Sequence, residues 1–285
     1  MMISMESGKS ADIGTFPMKA VSFDLDDTVL RSDLTVSPFS VSVFRRLQRG
    51  GIQIIPASGR TQQSMKPYID QISCVSLYIS CNGAEIWNGH NHQLLYQDLF
   101  SAELALEIAD FAEKHDCYAQ VYDNNRFYFN KHGEYADRYA AASSLSGQYV
   151  GRLSQFIHEP RNKVMLVADE SLISSMLEEA KQQFRGRASV TCSKPIYLEF
   201  NPPNATKGNA LIWASSYLGI NPDNVIAFGD SLNDLSMLQT AGYSVSVSNG
   251  WKEILPFCNA VCASNDDDGP ARFLNNHFPG KEVGS

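Results

Sequence analysis

The 285-residue sequence lacks a basic excess: 23 lysines and arginines stand against 31 aspartates and glutamates, a formal net charge of −8. Binding a polyanion rests on a cationic footprint, so no nucleic-acid partner is expected. There is also no uninterrupted apolar run of the length that spans a bilayer, and no membrane association is expected. Residues 1–17 have no basic stretch followed by an apolar core, which excludes a secretory signal. They read as a flexible polar leader, and the protein as cytoplasmic. Cysteine is sparse, with six residues and no C-x-x-C pair. That spacing points to reduced thiols buried as small hydrophobes rather than to disulfides or a zinc site. Internal repeats and low-complexity segments are missing too.

What remains is an ordinary globular composition, 44% hydrophobic and 19% charged, long enough for one large or two ordinary domains. Residues 19–30 are the most informative stretch. An apolar run reading as a buried strand delivers Asp24, Asp26, Asp27 and Thr28 at its carboxyl end. Three carboxylates within four residues repel one another, a cost that suggests a site. Side chains alternate along a strand, so Asp24 and Asp26 lean the same way. Such a pair can hold a hard divalent cation through oxygen or present a carboxylate nucleophile. The plainer alternative is an acidic turn capping the next helix.

Ser37-Pro38 opens a helix that Gly50-Gly51 ends, and a second apolar run, Ile52 to Ala57, closes on Ser58-Gly59-Arg60. Strand, helix and strand make a βαβ unit, in which both strand ends face the same side. A third run, Leu77 to Ser80, ends in Cys81-Asn82-Gly83. From 84 to 193 the strands shorten, become richer in aromatics and pair across turn signals such as Asn88-Gly89 and Asp123-Asn124-Asn125. This stretch reads as an inserted α+β domain. The βα alternation returns with a strand at Tyr197 to Asn201, a helix from Lys207, and a short strand, Val225 to Phe228, opening onto Gly229-Asp230-Ser231-Leu232-Asn233-Asp234. The expected fold is therefore α/β: a Rossmann-like parallel-sheet core (18–83 and 194–285) with an α+β cap (84–193) inserted into it.

Four polar clusters thus follow strands or start helices: Asp24 to Thr28, Ser58 to Arg60, Lys207-Gly208 and Gly229 to Asp234. In a parallel sheet all four share one edge. They supply carboxylates, a hydroxyl with adjacent amides, and a cation, the parts that phosphoryl transfer uses. Lys207 starts a helix, where the dipole disfavours a cation, so an anionic partner is expected.

This order and spacing resembles the haloacid dehalogenase superfamily of aspartate-nucleophile phosphatases. The phrases Ser80-Cys81-Asn82-Gly83-Ala84, Tyr197-Leu198-Glu199-Phe200 and Ser264-Asn265-Asp266-Asp267-Asp268-Gly269 are similar to its Cof-type subclass IIB, which carries a large α/β cap. The resemblance implies Mg2+ as cofactor and a small phosphorylated metabolite, a sugar phosphate first, as substrate. It implies Asp24 as nucleophile, Asp26 as acid and base, and Asp24, Asp26 (through its carbonyl) and Asp230 as metal ligands. Leu25, Ser58, Gly59, Lys207 and Asn233 would bind phosphate. Thr28 and Asp234 would support the ligands, and Arg60, Asn82 and Gly83 would lie near substrate. Asp27 and Ser231 stand where the family often has glycine.

Bland expectations hold elsewhere. His90-x-His92 falls at a hairpin tip and is expected at the surface. Phe127, Tyr128, Phe129, Tyr135 and Tyr139 are expected in the cap core, and nothing distinguishes Arg126, Arg138 and Arg161 as substrate cations. A phosphomutase with the same nucleophile, or a catalytically silent phospho-ligand sensor, are the alternatives.

Overall fold

The structure is a computed structural model that describes residues 13–123 and 126–279. Residues 1–12 of the expected leader, Asn124 and Asn125 of an expected turn, and residues 280–285 lie outside them. The rest of the expected leader is not a free segment: Ile13 to Thr15 form a 3-10 turn, and Phe16 meets Tyr243 edge-on at 5.8 Å.

In chain order the elements begin with β1 (Ala20–Phe23), α1 (Pro38–Arg49), β2 (Gln53–Pro56), α2 (Gln62–Ile72), β3 (Leu77–Ser80), β4 (Glu85–Asn88) and β5 (Leu94–Gln97). Next come α3 (Ala102–Lys114), β6 (Tyr118–Asp123), β7 (Arg126–Phe129), α4 (Glu134–Ser143), β8 (Ser146–Tyr149), α5 (Leu153–Phe156), β9 (Val164–Val167), α6 (Glu170–Gln183) and β10 (Ser189–Thr191). The chain closes with β11 (Tyr197–Asn201), α7 (Lys207–Tyr217), β12 (Val225–Gly229), α8 (Leu235–Thr240), β13 (Tyr243–Val247), β14 (Ala260–Cys262) and α9 (Gly269–His277).

A five-stranded parallel sheet, β14-β13-β12-β1-β2, forms the core. Every residue of β1, β12 and β13 is buried, as strands covered by helices on both faces require. β1 lies between β12 and β2, so the loops after three neighbouring strands carry Asp24, Asp230 and Ser58 along one edge. Helix α1 begins as its sequence dictates: the Ser37 hydroxyl accepts the Ser40 amide, with Pro38 at the first position.

A six-stranded sheet, β10-β11-β9-β6-β7-β8, with α3, α5 and α6 packed on one face, forms the cap. Two pairings depart from the sequence expectation. Tyr197–Asn201, taken as a core strand, runs antiparallel between β9 and β10 and belongs to the cap sheet. The β4–β5 hairpin, taken as the start of the cap, pairs instead with β3 in a three-stranded sheet. A parallel bridge between Ala57 and Ile79 fastens that sheet to the core edge. A short apolar run fixes a strand but not its neighbours, because pairing is decided by which edges are free once the layers pack. Helix α4 carries little apolar sequence and was not foreseen.

All six cysteines are free, four of them buried, as the scattered spacing suggested. No helix among the described residues is long and apolar enough to cross a membrane.

Candidate active site

Asp24, at the carboxyl end of β1, is buried, as is Asp230 after β12. Lys207, the first residue of α7, is wholly buried, and its ammonium donates to Asp24 Oδ1 at 2.7 Å and to Asp234 Oδ1 at 2.6 Å. The anionic partner expected from the helix dipole is thus a pair. Asp234 turns its other oxygen back to accept the amides of Asp230 at 2.9 Å and Ser231 at 3.1 Å. Gly229 makes this possible, since a Cβ there would lie 2.6 Å from the Asp234 Cβ. Thr28 Oγ1 donates to Asp230 Oδ1 at 2.9 Å, tying the first cluster to the fourth.

One carboxylate oxygen each from Asp24, Asp230 and Asp234 lies within 4.8 Å of the other two. Burial, reinforced by the neighbouring aspartates against the pull of Lys207, pushes the Asp24 carboxyl up to about 8. Burial also raises Asp230 well above its ordinary value. Carboxylates that resist ionisation together are a hard-oxygen set short of positive charge, which is the chemistry a divalent cation such as Mg2+ satisfies. Asp24 and Asp230 are the side chains best placed to hold it, because both oxygens of Asp234 already accept hydrogen bonds.

Asp26 faces elsewhere. Both its oxygens accept from the Arg60 guanidinium at 2.7 Å. Burial alone would raise this carboxyl, but Arg60 outweighs burial and holds it below the usual carboxylate range. Arg60 also donates to Ser64 Oγ and to the Ala142 carbonyl of α4, so the same side chain joins the core to the cap.

A second polar chain crosses between the layers. Asn233 Nδ2 donates to Asn82 Oδ1 at 3.1 Å, and Asn82 Nδ2 donates to Glu199 Oε2 at 2.8 Å. Glu199 is paired with Lys163, whose ammonium also donates to the Gly59 carbonyl at 2.9 Å. Between core edge and cap lies a cavity of about 80 Å3, walled on the core side by Asp24, Ser58, Gly59, Asp230 and Asn233 and on the cap side by Tyr139, Lys194 and Glu199.

The structure therefore gathers Asp24, Asp26, Ser58, Gly59, Arg60, Asp230 and Asn233 around one space, with Lys207 and Asp234 behind Asp24. Asn82 and Gly83 are not on the cavity wall: Asn82 backs Asn233, and Gly83 abuts Thr206, the cap of α7. Leu25 buries its side chain in the core and gives its carbonyl to the amides of Val29 and Leu30. Asp27 and Ser231 differ in kind. Asp27 has φ +54°, the left-handed region that glycine enters freely, whereas Ser231 has φ −136° and needs no glycine.

Lys163, Lys194 and Glu199 were not singled out from the sequence. The signal for two of them was a charge set against an apolar strand run, at Lys163-Val164-Met165-Leu166 and Tyr197-Leu198-Glu199-Phe200. Arg126, Arg138 and Arg161 do not line the cavity; Arg138 pairs with Glu134 and Arg161 with Glu159. Phe127 and Phe129 are cap core as expected, but Tyr139 reaches the cavity. His92 is not a free surface residue: it is half-buried between the Tyr78 hydroxyl at 3.0 Å and Asp70 at 2.9 Å. The acidic loop 264–269 does not line the cavity and clamps the segment after β1, through Asp268 to Arg31 and Asp266 to Ser32.

A doubly wound α/β core whose sheet edge gathers carboxylates and a buried lysine beneath an inserted cap defines a capped α/β hydrolase. The chain belongs to the haloacid dehalogenase-like hydrolases, whose family model matches residues 21–274. Among curated relatives, the 5-amino-6-(5-phospho-D-ribitylamino)uracil phosphatase YitU of Bacillus subtilis is 27% identical, with 90% of this chain and 97% of that protein covered. Phosphatase YwpJ of the same organism is 26% identical over 90% of this chain and 99% of that one. Among solved structures, a haloacid dehalogenase-like hydrolase from Bacteroides thetaiotaomicron superposes with a TM-score of 0.80 at 25% identity, covering 92% of this chain and 100% of that one.

Proposed function

We propose that this chain is a Mg2+-dependent phosphohydrolase that cleaves small phosphomonoesters through an aspartyl-phosphate. The observation carrying this is the buried contact of Lys207 with Asp24, which lines the cavity beside Asp230. Asp24 is the nucleophile: its carboxylate oxygen attacks phosphorus, and the leaving oxygen departs with a proton from Asp26. Asp26 then takes a proton from the water that hydrolyses the acyl phosphate, restoring both carboxyl groups. Lys207, the Ser58 hydroxyl, the amides of Leu25 and Gly59, and Asn233 Nδ2 would hold phosphoryl oxygens. Thr28 and Asp234 orient Asp230 and Lys207. Asp24 and Asp230, with the Asp26 carbonyl, would hold Mg2+, which would supply positive charge to the transferring phosphoryl group.

For Asp26 to serve as acid, its bidentate bond to Arg60 must open. Only one Asp26 oxygen need be freed to carry the proton, so Arg60 stays against the other oxygen and the Ala142 carbonyl, while Asn82 and Gly83 position Asn233 and α7 from behind. Residues 98–201 act as the cap that excludes water and meets the leaving group, and the remaining residues hold the chemistry. A sugar or polyol phosphate is the substrate class favoured, in line with the ribityl phosphate in the names of relatives.

The test is a screen of phosphorylated metabolites with Mg2+, with EDTA, and with Asp24→Asn. Free phosphate that depends on both the metal and Asp24 supports the proposal. Release surviving both treatments overturns it, and transfer to substrate without free phosphate would mark a mutase instead.

A further inference from the structure

The cations at the cavity are already matched. Arg60 is closed by both oxygens of Asp26, Lys163 by Glu199, and Lys207 by Asp24 and Asp234. The remaining cavity-wall cation among the described residues, Lys194, lies in the loop between β10 and β11. It faces Asp27 across 3.6 Å, an ion pair too long for a hydrogen bond. Both side chains are about half exposed, 43% and 50%, where the cavity opens.

Asp27 is therefore a carboxylate next in sequence to Asp26, the residue proposed to protonate the leaving group, and it lines the same cavity. Its backbone is fixed independently of its side chain, since its carbonyl accepts Asn249 Nδ2 at 2.8 Å. A second anionic group on the substrate would meet Asp27 at the cavity mouth, with Glu199 already paired to Lys163 and Lys194 already engaged by Asp27. A hydroxyl-bearing leaving group meets no such penalty, because hydroxyls both donate to these carboxylates and accept from Lys194.

We infer that Asp27 is a specificity-determining residue: by engaging Lys194 and presenting its own charge, it restricts the site to phosphomonoesters with neutral, hydroxyl-rich leaving groups. This rests on the phosphohydrolase proposal above and narrows its substrate class. Repulsion by one like charge near the cavity mouth is expected to give about tenfold discrimination, equivalent to about 1.4 kcal/mol.

The experiment compares glycerol phosphate with phosphoglycerate, in which one hydroxymethyl group is replaced by a carboxylate, and a sugar monophosphate with its bisphosphate. kcat/KM is measured for the wild type, Asp27→Asn, Asp27→Gly, and Asp27→Asn combined with Lys194→Met. Both substitutions at Asp27 suit a positive φ, so the variants keep the loop. The wild type is expected to favour the neutral member of each pair about tenfold, and either Asp27 variant to bring the ratio near one. Adding Lys194→Met restores discrimination, because the freed ammonium is what accepts the second anion. A wild type that accepts both members equally, or a ratio unmoved by Asp27→Asn, overturns the inference. Calorimetric binding of the same pairs to Asp24→Asn separates the two proposals: discrimination in binding without phosphate release by the wild type retains Asp27's role and removes the hydrolase assignment.

Discussion

Lys207 Nζ donates to Asp24 Oδ1 across 2.7 Å with the lysine wholly buried, so each charge depends on the other for its place in the interior. Removing one partner of a buried pair costs about 3–5 kcal/mol when the other stays ionised. Asp24, raised to about 8, can take a proton instead. Lys207→Met is thus expected to lose turnover at all pH values, and to lose thermal stability more at about pH 8 than at about pH 5. Equal melting losses at both would show that Asp24 does not titrate as described.

The metal-free protein should weaken as pH rises. Folded Asp24 and Asp230 hold protons that the unfolded chain releases near 3.8. Both contributions are full below that value and fall as pH rises, Asp24's being lost as pH climbs toward about 8. Mg2+ binds the deprotonated carboxylates, so its stabilising effect should grow over the same window. Melting scans with Mg2+ and with EDTA across this range check it. A metal-induced shift that shrinks toward alkaline pH would contradict the ligand assignment.

Arg60 holds Asp26 below the usual carboxylate range. Replacing it with glutamine removes a cation from both oxygens and should raise the Asp26 carboxyl, the proposed general acid. In the pH profile of kcat/KM, the limb reporting deprotonation of that acid moves to higher pH. An unmoved limb would assign that proton to another group.

At Gly83, φ is +106° and a Cβ would lie 2.4 Å from the Thr206 carbonyl. Gly83→Ala should cost about 2 kcal/mol or more, because both the backbone and the contact are strained. Since Thr206 caps α7, Lys207 shifts with it and kcat falls even below the melting temperature. Denaturant unfolding with activity assays reads both effects, and a fully stable, active variant would refute this role.

Much of the site was legible because phosphoryl-transfer chemistry places charge where folding alone would not. Asp24 and Asp230 stood out as charges at the ends of apolar runs and Lys207 as a cation at a helix start, and the structure brings all three together. Lys194 and Tyr139 gave no comparable signal. Each lies in a polar or weakly apolar segment, and its value comes from what faces it across the cap.

The sequence alone determined the strand and helix periods, the order of the polar clusters and the two-layer α/β plan, since these follow from local hydrophobic pattern and turn chemistry. Tertiary structure decided that β11 joins the cap sheet, that β4 and β5 extend the core edge, and that Arg60 closes on Asp26. It also set Asp27 against Lys194. Those choices depend on which strand edges and charges meet once the layers pack, and residues 167 positions apart in the chain leave no local trace of such a meeting.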